Sequence, residues 1–170
     1  AIDETPNTFS IKGILEYQSS TVQGVEVKHQ LFPSTDLPVF IDKIEIKNTS
    51  KKTVKVELPK VEYTHLTDVE KGVSGSYHIQ VISNKQGVFD LTPNETLEYA
   101  LVYSARLKET EDTYVAVDYE YNKRQRLISE TFSDLVFESP NEILNRTFSF
   151  AKLRAVESIF RTKGGLMHAP

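Results

Sequence analysis

Apolar side chains occupy every second position of residues 97–107, and this alternation constrains the fold more than any other feature of the sequence. The apolar members are Leu97, Tyr99, Leu101, Tyr103, Ala105 and Leu107, and Glu98, Ser104 and Arg106 stand among the residues between them. A period of two is typical of a strand with one buried face. We predict a long strand that crosses a whole sheet and directs Leu97, Tyr99, Leu101 and Tyr103 towards the core.

Shorter alternating segments surround this run and predict further strands. They cover residues 9–17, 25–31, 39–47, 53–58, 61–65, 77–82, 114–121 and 127–137. We expect 39–47 and 53–58 to pair across the polar turn 48–52. Because no helical pattern separates the strands, parallel crossovers are excluded, and the sequence predicts a mainly antiparallel β-sandwich. A closed barrel is the alternative.

The C-terminal segment, residues 139–170, has the helical period that the rest of the chain lacks. Ser139 and Glu142 have the spacing of a capping box, and Pro140 suits a first helical position. Gly164 and Gly165 can end a helix, so the pattern predicts one over residues 140–163. We therefore divide the chain into a sandwich domain, 1–138, and a helical linker, 139–170.

Apolar residues point in three directions around this predicted helix. The first stripe is Leu144, Phe148, Ala151, Ala155 and Ile159, the second is Leu153, Val156 and Phe160, and the third is Ile143 with Phe150. A helix packed on one sheet needs only one stripe, so we expect burial against more than one partner. A terminal helix with a few exposed apolar side chains is the alternative.

Composition excludes several classes of function. The chain has 170 residues, 39% of them hydrophobic, which suits one domain with a core of its own. A formal net charge of −4 argues against nucleic acid as a partner, and we expect the basic run 123–126 to be a solvated turn. No apolar run reaches the roughly 18 residues of a membrane span, and there is no cysteine.

The sequence contains no motif that predicts a catalytic residue, metal site or cofactor within these residues. His29, His65, His78 and His168 are far apart and form no zinc-binding spacing. Residues 72–76 lack the last glycine of a nucleophile elbow, and no phosphate-cradling loop is present. An enzyme complete within this chain is therefore the weakest of the functional hypotheses.

Residues 148–170, with the sequence FSFAKLRAVESIFRTKGGLMHAP, resemble a junction in bacterial six-hairpin glycosidases. In that family an N-terminal β-sandwich is joined by a helical linker to an (α/α)6 catalytic barrel. The resemblance implies an accessory domain of a secreted or periplasmic glycoside hydrolase, with the barrel of the same polypeptide as its partner. The general acid and the base that activates water would then belong to the barrel, beyond Pro170.

The same resemblance indicates where this chain would meet the barrel. We expect Phe148, Phe150, Leu153, Val156 and Phe160 to form the interface between the domains, and His168 is the candidate for a hydrogen bond to a sugar hydroxyl. The competing hypothesis is an independent module that binds glycan or protein through a sheet face or loops. The helix distinguishes the two, because a self-contained module needs no additional apolar stripes.

Overall fold

The structure is a computed structural model that describes residues 5–20, 24–72, 74–110, 114–162 and 164–168. The chain forms two compact units, Ala1–Tyr121 and Asn122–Pro170. The boundary falls inside a helix that begins in the first unit and continues into the second.

The first unit is built from antiparallel strands. In chain order they are β1 (Pro6–Ile11), β2 (Leu15–Ser20), β3 (Val25–Pro33), β4 (Val39–Asn48), β5 (Val54–Leu58), β6 (Glu62–Leu66), β7 (Tyr77–Ser83), β8 (Gly87–Leu91) and β9 (Thr96–Leu107). Seven of them form one sheet in the order β1-β2-β3-β4-β9-β7-β6, and β5 pairs with β8 in a second sheet. The first sheet ends at β1 and β6, so it is open rather than a closed barrel.

A hydrophobic core lies between the two sheets and confirms the predicted mainly antiparallel fold. Its buried members are Val25, Val27, Ile44, Ile46 and Leu97 from the large sheet with Val56, Leu58 and Leu91 from the small one. Tyr99 and Leu101 pack against it partly buried. The predicted long strand is β9, and three of its four predicted core residues contact the core, whereas Tyr103 is 37% exposed.

The expected pairing of residues 39–47 with 53–58 is wrong. β4 pairs with β3 and β9, and β5 crosses to the other sheet. Asn48 stabilises the crossover, because its buried Nδ2 donates to the carbonyls of Lys52 and Leu91, both at 2.8 Å. A polar turn between two strands is compatible with a hairpin or with a change of sheet. Here β5 packs into the core from the second sheet, so the turn produces a change of sheet.

The alternating run 9–17 is two strands rather than one. β1 pairs with β2 in antiparallel orientation, so the chain reverses between Ile11 and Leu15. Gly13 makes this reversal possible, with a φ of +82° that side-chain-bearing residues rarely adopt. Because the side-chain alternation continues through the turn, the hydrophobic pattern of the sequence does not show that the chain reverses here.

The predicted strands 114–121 and 127–137 are wrong, because α1 (Val117–Asp134) is a helix. Its buried positions are Glu120, Arg124, Ile128 and Thr131, which lie three or four residues apart. Three of these four side chains are polar, so the helical period is absent from the hydrophobic pattern. The basic run 123–126 accordingly lies within α1 and is not a solvated turn, since Arg124 is 3% exposed.

The second unit continues with α2 (Glu142–Glu157) and the hairpin β10 (Ile159–Thr162) and β11 (Gly165–His168). The predicted helix over 140–163 is therefore shorter, about 24 Å for 16 residues at about 1.5 Å each. Its N-cap is Asn141 instead of Ser139, and the Asn141 side chain accepts from the backbone N–H groups of Ile143 and Leu144. The strand-forming residues 159–162 and the glycines after them produce a hairpin in place of the last helical turns.

Candidate functional site

The residues predicted to meet a partner domain lie on different sides of α2. Leu153 is 3% exposed, Phe148 and Val156 are half-buried, and Phe150 is 39% exposed. The side chain of Phe160 lies outside the described part of the structure. Of the described residues in this set, Phe150 offers the most apolar surface for a contact.

Phe148 belongs to the packing within the second unit. Its ring centroid lies 5.3 Å from that of Phe137, and Lys152 Nζ lies 5.8 Å from the Phe148 ring. Lys152 also donates to the carbonyl of Phe132 at 3.1 Å and to that of Leu135. Because the last carbonyls of a helix lack partners inside it, this lysine of α2 satisfies the C-terminal end of α1.

An ion pair also connects the two helices. Arg124 of α1 contacts Glu157 of α2, and the Arg124 side chain is 4% exposed while that of Glu157 is 23% exposed. Arg154 also contacts Glu157, at 3.3 Å. A buried guanidinium is costly unless it is paired, so this contact sets how α2 is placed against the second part of α1.

The opposite side of α2 has a shallow groove formed by the helix alone. It is lined by Ile143, Arg146, Thr147, Phe150, Ala151 and Arg154. Ile143 is 73% exposed, and the stripe of Ile143 and Phe150 is the third one identified in the sequence. Arg146 and Arg154 also line the groove, and they pair with Glu142 and Glu157 of the same helix. The apolar side chains of the groove can contact an apolar protein surface.

The terminal hairpin adds exposed apolar side chains to the second unit. Leu166 is 72% exposed and Met167 59% exposed, both on β11. His168 is exposed at the end of β11, and its Nε2 lies 2.7 Å from Ser158 Oγ. The structure thus places the predicted sugar-contacting histidine beside the C-terminal cap of α2, among residues that offer apolar surface.

In the first unit, the two faces of the large sheet differ in charge. The inner face, which continues the core, contains alternate residues of its strands: Leu15, Tyr17, Val25, Val27, His29, Leu31, Phe40, Asp42, Ile44, Ile46, Tyr63, His65, Tyr77, Ile79, Val81, Ser83, Leu97, Tyr99, Leu101 and Tyr103. Asp42 is the only Asp, Glu, Lys or Arg among them. The opposite face contains Glu26, Lys28, Lys43, Glu45, Lys47 and Glu98.

Asp42 is buried on the inner face with a histidine. His29 Nδ1 lies 3.0 Å from each carboxylate oxygen of Asp42, and Tyr17 stacks on the imidazole with centroids 4.4 Å apart. Burial and the charge of Asp42 together raise the pKa of Tyr103 above its ordinary value. The exposed edge of this group is therefore aromatic and uncharged.

A second charged group lies on the opposite face, where α1 begins. Lys43 Nζ donates to Asp118 at 2.8 Å, lies 3.5 Å from Glu98 and stands 5.3 Å from the ring centroid of Tyr121. Burial alone would lower the pKa of Lys43, but the hydrogen bond that Lys43 donates to Asp118 and the charges of Glu98, Asp118 and Glu45 outweigh it and raise the pKa. This group connects β4, β9 and the first turn of α1.

No set of three or more His, Asp or Glu side chains suited to a metal ion occurs within the described ranges. The helices in those ranges are also too short or too polar to span a membrane.

In comparisons with known proteins, no protein family matches this chain. No curated protein has a matching sequence either. The chemistry of the exposed surfaces is therefore the basis for assigning a function.

Proposed function

We propose that this chain is a non-catalytic accessory domain of a secreted or periplasmic glycoside hydrolase, docked on an (α/α)6 catalytic barrel of the same polypeptide. The proposal begins from the resemblance of residues 148–170 to the linker of six-hairpin glycosidases. The observation that supports it most is the apolar surface of the second unit. Ile143, Leu144, Leu166 and Met167 are each more than half exposed.

The free energy available from covering these side chains is substantial. Full burial of a large aliphatic side chain stabilises by about 1.5–3 kcal/mol, and covering the exposed part of each of these four side chains contributes a fraction of that amount towards the cost of ordering a partner. Ile143 and Leu144 lie at the N-terminal end of α2, and Leu166 and Met167 lie on the hairpin after its C-terminal end, so the second unit exposes apolar side chains at two places. In the proposed assembly, the groove of α2 and the hairpin β10–β11 contact the barrel, and His168 faces its sugar-binding side.

An independent glycan- or protein-binding module is the second candidate. The observation in its favour is the exposed aromatic edge of the inner face, where Phe40 and Tyr103 pack edge to face with centroids 6.2 Å apart. Aromatic rings at such a surface can stack on the apolar side of a sugar ring. This hypothesis does not account for the apolar surface of the second unit.

The test compares two lengths of the polypeptide, residues 1–170 and the same chain with the residues that follow Pro170 in its gene. We expect the longer protein to hydrolyse glycosides and to protect the amides of α2 and β11 from hydrogen exchange relative to the short chain. A longer protein in which these amides exchange as in residues 1–170 would refute the docking.

Matched substitutions locate the contact. Ile143→Asp should change the unfolding free energy of residues 1–170 by no more than about 0.5 kcal/mol, because the side chain is exposed. In the longer protein it should lower the unfolding temperature by several degrees. Val88→Asp is the control, since Val88 is 58% exposed on β8 of the first unit. Equal effects of both substitutions in the longer protein would contradict an interface at α2.

A further inference from the structure

We draw no further inference here: the strongest candidate, the exposed aromatic end of the inner sheet face at Phe40, Tyr63 and Tyr103, combines apolar rings with tyrosine hydroxyls, and nothing in the described part of the structure shows what covers it.

Discussion

Leu153 and Ile143 are residues of one helix with opposite burial, which makes them a matched pair for a stability measurement. Leu153 is 3% exposed and Ile143 is 73% exposed. Leu153→Ala should lower the unfolding free energy by about 2–4 kcal/mol, through lost burial and the cavity left behind. Ile143→Ala should change it by about 0.5 kcal/mol or less. Urea unfolding followed by circular dichroism measures both, and equal effects would contradict the orientation of α2.

At the same scale, the buried contact between His29 and Asp42 is worth more than an exposed ion pair. Asp42→Ala leaves a buried imidazole without its carboxylate, and we expect a loss of about 2–3 kcal/mol in unfolding free energy. Arg146→Ala is the comparison, because its side chain is 74% exposed in the pair with Glu142, and it should cost about 0.5 kcal/mol or less. A neutral Asp42→Ala would show that the pair does not stabilise the inner face.

At the scale of elements, Lys43 connects two strands to the start of α1 and makes that connection dependent on pH. The folded state raises the pKa of Lys43 above its ordinary value of 10.5, so the folded chain holds this proton more tightly than the unfolded chain. The stabilisation is therefore complete below about pH 10.5 and is lost as the pH rises through the folded pKa.

Lys43→Met should consequently make stability less sensitive to pH above that value. We expect wild type to lose more unfolding free energy than the variant between neutral and strongly alkaline pH, as measured by urea titration at each pH. Lys60→Met is the control, since Lys60 is 65% exposed and pairs with the exposed Glu62. If Lys60→Met and Lys43→Met reduce the alkaline loss equally, the contacts of Lys43 are not its cause.

At the scale of the whole molecule, the proposed role predicts binding surfaces without catalysis in residues 1–170. We expect the purified chain to release no nitrophenol from a panel of aryl glycosides, because the general acid and base would belong to the barrel. Turnover that disappears when one of the chain's own carboxylates is replaced by its amide would contradict an accessory role.

Much of the first unit could be predicted from the sequence, because alternation reports burial on one face directly. The strands β3, β4, β5, β7 and β9 follow the predicted segments closely. Alternation does not report which strand pairs with which, so it gives no indication that β5 pairs with β8. It also gives no signal where the buried residues are polar, and the hydrophobic pattern does not predict α1 because Glu120, Arg124 and Thr131 occupy its inward positions.

Local periodicity and turn residues in the amino-acid sequence specify the strand-forming segments, the antiparallel class and the helical segment that contains α2. The change of sheet at Asn48 and the extent to which β5–β8 covers the inner face are visible only in the folded chain. The same holds for which stripes of α2 remain exposed. These properties depend on contacts between residues distant in the chain, and no local pattern records such contacts.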